Sequence, residues 1–261
     1  MHSTSLKELS QLITGLKIPP SSTVMIHSSL LKFGIIENGV EGFFQCIIES
    51  LAGEPTIVMP AFSFSYFDNR YWDVKKTKSE MGALSEYFRK LNGALRTIHP
   101  FHSIVAYGKY VKEFKGCNSL SSFGKNSPFE KLVELNAYNL SLGTEFIGGG
   151  TFFHHTEEVC RVPYRHYKEF PGSVYNEEGK MVNKIYKMYV RNITDNYEYV
   201  NNWDKVFIDL SKKNCFHIKY LNIAKIIFSS IRNAHGIFKE FIDEDPYYAA
   251  ERINKKHSKF S

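Results

Sequence analysis

Two short apolar runs without any charge constrain the fold of this chain most strongly. The runs are TVMIH at residues 23–27 and TIVMPAF at residues 56–62. A strand with one face in water alternates apolar and polar residues, so a run without alternation indicates a strand that is covered on both faces. Helices provide such cover. The sequence therefore predicts an α/β protein with a mixed, largely parallel central sheet flanked by helices.

Helical periodicity occurs between the predicted strands, with apolar residues three and four positions apart. Helices are predicted over residues 4–15, 39–52, 81–92 and 128–136, from about Thr151, and over 235–257. From about residue 160 the pattern is less regular and contains short strands such as KMVNKIYKMYV. Because no repeat or low-complexity linker interrupts the chain, we interpret residues 1–261 as a single domain.

Composition excludes several classes of protein. The four cysteines are far apart, the N-terminus has no signal-peptide pattern, and no apolar segment is long enough to span a bilayer. We therefore expect a cytoplasmic protein that does not bind a membrane. The net charge of +6 is diffuse, which argues against nucleic acid and suits a small ligand that carries phosphates. Composition does not distinguish a monomer from a homodimer.

The segment TFFHHTEEVC at residues 151–160 contains the strongest local signal for chemistry. In a helix, residues three apart lie on one face, so His154 neighbours Glu157 and His155 neighbours Glu158. A carboxylate beside an imidazole fixes the tautomer and stabilises the imidazolium that forms when histidine accepts a proton. Surface polar residues show the same spacing.

A metal site is an alternative interpretation of these histidines. His154 and His155 could join His99 and His102 as ligands of a metal-dependent hydrolase. Consecutive helical histidines point about 100° apart, however, and the H-E-x-x-H pattern is absent. We therefore expect no metal.

Three further segments could contact an anionic or carbonyl group. HSSLLKFG at 27–34 follows a predicted strand and offers hydroxyl and backbone N–H groups. RTIHPFHS at 96–103 contains an arginine that could pair with phosphate. SSFGKNSP at 121–128 is a loop that ends at the start of a helix. Each segment alone is also typical of an ordinary capped turn.

The order of these motifs resembles that of the aminoglycoside 3-N-acetyltransferase family, whose antibiotic N-acetyltransferase fold is distinct from the GNAT fold. The series runs HSSL…G, TIVMPAF, MGALSEYFR, R-T-x-H-P-x-x-S, SFGKNSP and T-x-x-H-x-x-E, followed by VPYRHYK. The resemblance extends from about Val24 to Tyr167. It implies acetyl-CoA as the donor and a primary amine on a sugar as the acceptor.

The resemblance assigns roles to individual residues. It places the catalytic histidine at His154 and its acidic partner at Glu157, whereas His155 and Glu158 are only neighbours. The residues that it places beside the cofactor are His27, Ser28, Ser29, Leu30, Gly34, Arg96, His99, Ser103, Phe123, Gly124 and Ser127.

These roles imply direct transfer, in which His154 accepts a proton from the acceptor ammonium and the amine attacks the thioester. Hydroxyl or N–H groups of residues 28–30 would stabilise the oxyanion. A route through Cys160 or Cys46 is conceivable, but neither lies in a matched motif. An inactive, acetyltransferase-like binding module is the non-enzymatic alternative.

The acceptor is a separate question. Aminoglycosides are polycations and call for a cleft rich in carboxylates, yet Arg161, Arg165 and Lys168 follow Glu157. The long segment 63–80 mixes aromatic and cationic residues, which suits a nucleotide-linked sugar. We therefore expect a dTDP- or UDP-linked deoxyamino sugar of surface polysaccharide synthesis, with an aminoglycoside as the alternative. Acceptor contacts are predicted at Tyr66, Asp68, Arg70, Trp72 and Arg161.

Overall fold

The computed structural model describes residues 3–117 and 119–255. Within these ranges the helices are α1 Leu6–Thr14, α2 Gly39–Ser50, α3 Tyr66–Asn69, α4 Ala83–Arg89, α5 Pro128–Glu134, α6 Phe146–Gly149, α7 Phe153–Val159, α8 Trp203–Lys212 and α9 Ile231–Glu244. The strands are β1 Ser3–Thr4, β2 Thr23–Ser28, β3 Ile35–Ile36, β4 Thr56–Pro60, β5 Tyr71–Asp73, β6 Leu95–Arg96, β7 Ile104–Gly108, β8 Tyr138–Leu142, β9 Arg165–Tyr175, β10 Met181–Arg191, β11 Tyr197–Asn201, β12 His217–Leu221, β13 Ala224–Ser230 and β14 Ala250–Asn254.

The central sheet has seven strands in the order β12-β13-β8-β2-β4-β7-β6. Strand β2 pairs in parallel with β4 and β8, and the remaining neighbours in this sheet are antiparallel. The predicted α/β class and mixed sheet are confirmed. Parallel pairing is confined to the centre, so it is less extensive than predicted.

The two apolar runs form the buried strands β2 and β4, as predicted. Alternate residues of β2 face opposite layers: Val24 packs with α1, α2 and α4, whereas Met25 packs with α5, α7 and α9. Both side chains are completely buried. The absence of polar alternation therefore has a direct cause, because each face of these strands is covered by helices.

The segment 63–80 is less irregular than its composition indicates. It contains α3 and β5, and β5 pairs in parallel with residues 173–175 of β9. Strands β10, β9 and β5 form a second sheet. The pairing buries part of a segment that was expected to face a ligand.

The C-terminal part is also more regular than predicted. Strands β9 and β10 are 11 residues each and form one long hairpin, whereas β12 and β13 extend the central sheet. The predicted helix 235–257 ends at Glu244, because Pro246 cannot continue it, and β14 follows. Residues 256 and 257 of that prediction lie outside the described ranges. That the chain is one domain stays a prediction.

None of the helices in residues 3–117 and 119–255 combines the length and the apolar character needed to cross a membrane.

Candidate active site

Helix α7 places His154 and Glu157 on one face, as their spacing predicts. His154 Nδ1 lies 2.5 Å from Glu157 Oε2. Glu157 is completely buried, whereas the His154 side chain is 30% exposed. A buried carboxylate thus orients the imidazole through Nδ1, which leaves Nε2 as the ring atom that can exchange a proton with a ligand.

Three further side chains hold the Glu157 carboxylate. Arg165 Nη2 lies 3.0 Å from Oε2, the Tyr164 hydroxyl donates to Oε1 at 2.7 Å, and Asn201 Nδ2 donates to Oε1 at 3.0 Å. The sequence patterns do not indicate that any of these three side chains contacts Glu157. Tyr164 and Arg165 lie in the motif VPYRHYK, which follows α7 closely enough for such a contact to be predicted. Asn201 lies on β11, and no local pattern indicates it.

These contacts determine the charge of Glu157. Burial alone raises the pKa of this carboxyl, but the charges of Arg165 and His154 and the hydrogen bonds from His154 and Tyr164 outweigh burial, and the pKa falls to about 2. Glu157 is therefore an anion at neutral pH. Its negative charge stabilises an imidazolium on His154, which is what a general base requires of its partner.

The neighbouring pair, His155 and Glu158, makes different contacts. His155 Nδ1 bonds to the carbonyl oxygen of Phe123 at 2.6 Å. Glu158 Oε1 accepts from the hydroxyls of Ser121 and Tyr167. Both side chains are buried, and helical spacing alone does not bring them together.

A cleft of about 760 Å³, here called the His154 cleft, opens beside the imidazole. Its lining consists of Phe67, His102, Phe123 and His154, residues 165–170 and 188–191 of the β9–β10 hairpin, and Ile193. The Trp203 ring packs edge-on against His154 with centroids 5.3 Å apart. The cleft therefore brings a substrate-sized space to the exposed edge of the candidate base.

The lining is predominantly cationic. The charged lining residues are three cations, Arg165, Lys168 and Arg191, and one carboxylate, Glu169. An oxygen of Glu169 lies 2.9 Å from Lys187 Nζ. Arg165 is compensated by Glu157. Among the described residues, neither Lys168 nor Arg191 takes part in an ion pair that the structure shows, so the cleft has an excess of positive charge.

The predicted cofactor turn follows β2 at the carboxyl edge of the central sheet. Ser28, Ser29, Leu30 and Gly34 are partly exposed, and Gly34 has a φ of 67° that favours glycine. Ser29 N donates to Leu142 O at 2.9 Å. His27 is only 4% exposed, so its side chain lies inside the fold, and its contact with the cofactor stays a prediction.

In the predicted segment 96–103, Arg96 and Ser103 are bonded inside the fold. The Arg96 guanidinium is buried over the Trp72 ring and donates to the carbonyl oxygens of Ala61, Val74 and Thr77 and to Ser103 Oγ. Ser103 in turn donates to Ala61 O. These bonds give both residues a structural role, and the predicted phosphate contact of Arg96 and cofactor contact of Ser103 stay predictions.

His99 is also buried, and its Nδ1 accepts from the backbone N–H groups of Phe101 and His102. The ring offers a ligand almost no surface, and the cofactor contact of His99 stays a prediction.

In the third predicted segment, 121–128, some residues lie beside the candidate site and others only stabilise the fold. The Phe123 ring lies 5.3 Å from the His154 ring and lines the His154 cleft. Gly124 packs against Glu158. Ser127 is the buried N-cap of α5 and accepts from Glu130 N. Ser127 therefore has a capping role in the fold, and the cofactor contacts of Phe123, Gly124 and Ser127 stay predictions.

The acceptor residues predicted in segment 63–80 are mostly elsewhere. Tyr66 and Trp72 are completely buried, and Trp72 Nε1 donates to Ser63 Oγ, so both lie inside the fold and their contact with the acceptor stays a prediction. Asp68 and Arg70 are exposed but do not line the His154 cleft. Phe67 is the residue of this segment that does line it.

The two alternative chemistries, a metal-dependent hydrolase and transfer through a cysteine, have little geometric support. Within the described residues, no three His, Cys, Asp or Glu side chains converge as metal ligands. His102 Nδ1 instead bonds to Ser122 Oγ at 2.7 Å. Burial raises the pKa of the Cys46 and Cys160 thiols, and neither cysteine lines the His154 cleft.

A sequence profile of the aminoglycoside 3-N-acetyltransferase family matches residues 25–241. The chain therefore belongs to this family, and the predicted enzyme class, an N-acetyltransferase, is confirmed. The match continues well past Tyr167, where the motifs end.

Individual relatives agree with this assignment. The SPbeta prophage-derived aminoglycoside N(3')-acetyltransferase-like protein YokD of Bacillus subtilis is 31% identical, over 72% of this chain and 77% of its own length. Aminoglycoside N(3)-acetyltransferase III of Acinetobacter baumannii is 23% identical over 71% of each chain.

Solved structures share the fold. AAC-IIIb in a binary complex with CoASH superposes with a TM-score of 0.79 at 17% identity, covering 93% of this chain and 97% of its own. AAC-VIa bound to sisomicin gives 0.80 at 19% identity, covering 93% and 98%. The predicted fold is thus confirmed at low sequence identity.

Proposed function

We propose that this protein transfers the acetyl group of acetyl-CoA to a primary amine of an amino sugar, with His154 as the general base and Glu157 as its orienting partner. The contact of His154 with a buried, anionic Glu157 beside an open cleft supports this function most directly. Membership of an N-acetyltransferase family and the fold shared with a CoASH complex support it independently.

The proposed reaction needs one proton acceptor. His154 Nε2 takes a proton from the acceptor ammonium, and Glu157 stabilises the imidazolium. The amine nitrogen then bonds to the thioester carbonyl carbon, the C–S bond breaks, and CoA leaves as the thiol. The sulfur takes the second proton that the nitrogen loses as the amide forms, and His154 releases the first proton to solvent, which restores the charge on the dyad.

The turn after β2 offers candidates for oxyanion stabilisation. Ser29 N–H is already bonded to Leu142 O, which removes it as a donor. The hydroxyls of Ser28 and Ser29 and the N–H of Leu30 are the groups that we assign to this role.

The comparisons favour an aminoglycoside amine over the nucleotide-linked amino sugar. Curated relatives are named aminoglycoside N(3)-acetyltransferases, and a structural neighbour is bound to sisomicin. We therefore propose an aminoglycoside-type acceptor first.

A nucleotide-linked amino sugar is the second candidate, because one observation favours it. The excess positive charge from Lys168 and Arg191 in the His154 cleft attracts a diphosphate and repels a polycation.

A thiol-release assay with acetyl-CoA tests both candidates. Kanamycin and neamine would be compared with dTDP- and UDP-linked amino sugars at equal concentration. We expect the highest kcat/KM with an aminoglycoside, and turnover confined to the nucleotide sugars would select the second candidate. The absence of thiol release with every amine, with no CoA binding by calorimetry, would contradict the acetyltransferase proposal itself.

A further inference from the structure

Phe67 is an accessible aromatic residue in the wall of the His154 cleft. It lies on the short helix α3, is 39% exposed, and lines the same space as His154. The residues on either side of it differ: Tyr66 is completely buried, and Asp68 lies outside the cleft. Of these three consecutive residues, Phe67 is therefore the one whose side chain a ligand in the cleft can reach.

Neighbouring rings hold Phe67 in place. The completely buried Phe101 lies behind it, with ring centroids 4.5 Å apart, and the buried Phe170 meets it edge to face at 5.4 Å. Phe64 is stacked against it, with an angle of 15° between the ring planes. Contacts on several sides fix the two side-chain torsions of Phe67. A ligand that packs on this ring therefore meets a preorganised surface and loses little free energy in ordering it.

Helix α3 itself is tied to the hairpin that forms the rest of the cleft wall. Ser173 N donates to Arg70 O at 2.9 Å, and Arg70 N donates to Tyr66 O, which closes the end of the helix. A Cβ added to Gly172 would lie 2.2 Å from the Tyr66 hydroxyl. The absence of a side chain at residue 172 allows this close approach. Phe67 and the β9 strand therefore form one rigid wall.

The charges of the cleft indicate how such a wall can bind an acceptor. Lys168 and Arg191 give the cleft an excess of positive charge, so charge alone repels a polycationic amine. A saturated ring with equatorial substituents turns axial C–H groups to both faces, and these apolar faces pack well on an aromatic ring.

An aromatic wall also tolerates the ammonium groups of such a ring, because an aromatic face attracts a cation. Phe170, directly behind Phe67, shows this within the protein. The Arg70 guanidinium and the Lys168 ammonium lie over its ring, 5.3 Å and 5.7 Å from the centroid. The exposed part of Phe67 can receive an ammonium of a ligand in the same way.

We infer that Phe67 is the surface on which the saturated ring of the acceptor packs, so that cyclic amines are recognised by an apolar contact rather than by carboxylates. Phe67 is then a specificity-determining residue on α3, separate from the proton-transfer pair on α7. The inference rests on the proposed acetyl transfer to an amino sugar and names the contact that recognises the ring.

The test compares two replacements of Phe67 in the thiol-release assay with neamine. Phe67→Leu keeps an apolar side chain but removes the aromatic ring, and we expect the KM for neamine to rise about fivefold. The kcat and the KM for acetyl-CoA should stay within twofold, because packing that is equal in the ground state and the transition state affects acceptor binding alone. Phe67→Tyr retains the ring and should keep the wild-type KM.

A control variant and a change of salt concentration separate the ring contact from other effects. Tyr71→Leu removes a 41% exposed ring on β5 outside the His154 cleft and should leave all three constants unchanged. The ratio of the neamine KM values of Phe67→Leu and wild type should be the same at about 0.05 M and 0.5 M salt, because salt does not screen an apolar contact. A KM for neamine that stays within twofold in Phe67→Leu, or that rises equally in Phe67→Tyr, overturns the inference.

Failure of the proposed function would be a separate result, namely no thiol release with any amine and no binding of CoA. The ring contact is then measured by calorimetric titration with neamine. A Kd that rises about fivefold in Phe67→Leu but not in Tyr71→Leu supports the inference. An unchanged Kd in Phe67→Leu, or a wild type that does not bind neamine, overturns it.

Discussion

Arg165 Nη2 lies 3.0 Å from Glu157 Oε2, the same oxygen that contacts His154 Nδ1. Arg165 also donates to Tyr189 O and to Asn201 Oδ1, and its Nη2 lies 3.5 Å from His154 Nδ1, so its guanidinium is held by several groups besides the carboxylate. The carboxylate therefore has a permanent cationic partner in addition to the base that it orients. This arrangement helps to keep Glu157 ionised.

Replacing Arg165 by methionine is expected to weaken catalysis in a pH-dependent way. Without the arginine charge, burial raises the pKa of Glu157 above its present value of about 2. Protonated Glu157 cannot stabilise the imidazolium, so activity is lost at higher pH than in the wild type. A kcat/KM profile from pH 4 to 9 should show its acidic limb displaced upward.

The control for this variant is Arg232→Met. Arg232 is exposed on α9 and donates to Val133 O and Glu134 O. Its profile should match the wild type. An Arg165→Met profile that keeps the wild-type acidic limb would contradict the role assigned to Arg165.

Removal of the candidate base should abolish turnover without abolishing cofactor binding. His154→Ala is expected to lower kcat by roughly 10²–10⁴, the range for loss of a general base. Calorimetric titration with CoA should give a Kd close to that of the wild type. His217→Ala, at an exposed position of the edge strand β12, is the control, and a near-wild-type rate for His154→Ala would reject the assignment.

Buried histidines predict a loss of stability under mildly acidic conditions. Burial lowers the pKa of His27 to about 4 and that of His99 to about 3. Once unfolded, both bind protons below about pH 6.5 while the folded protein does not, so the free energy of unfolding falls with pH. Each contributes a loss of about 2 kcal/mol between pH 7 and 5.

Urea unfolding at pH 7 and pH 5 measures this effect. Glu157 and Glu86, whose pKa values are lowered to about 2, lose their stabilising contribution only below about pH 4.5, outside this window. His27→Gln should therefore reduce the difference between the two pH values, and His217→Gln should not. Equal differences in His27→Gln and wild type would refute the prediction.

Arg96→Met distinguishes a structural arginine from a phosphate ligand. The substitution leaves the carbonyl oxygens of Val74 and Thr77 without this donor, at a cost of about 1–3 kcal/mol each. We expect a lower free energy of unfolding and an unchanged Kd for CoA at a temperature where the variant is folded. A normal free energy of unfolding together with weaker CoA binding would instead support a phosphate contact at Arg96.

Local patterns predicted the parts of this molecule that local physics determines. The strands β2 and β4 follow from runs without polar alternation, because each residue is buried on one face or the other. The contact of His154 with Glu157 follows from helical spacing, which fixes neighbours whatever the rest of the chain does.

Other features depend on contacts between distant segments. Trp72 looked like part of a ligand wall because polar and charged residues surround it in the sequence, yet pairing of β5 with β9 buries it. Asn201 contacts Glu157 across 44 positions, and no pattern near either residue reveals this. The sequence around Arg96 is typical of a phosphate ligand, but the carbonyl oxygens that its guanidinium contacts belong to the distant residues Ala61, Val74 and Thr77.

The β9–β10 hairpin supplies much of the lining of the His154 cleft, while His154 and Glu157 lie on α7 and the turn at 27–34 follows the central sheet. Beyond Arg165, hairpin residues can change without altering the proton-transfer pair. In the proposed function, acceptor choice and reaction chemistry therefore reside on separable pieces of the chain. Selection could broaden or exchange the range of acceptors through a single hairpin while the chemistry is inherited intact.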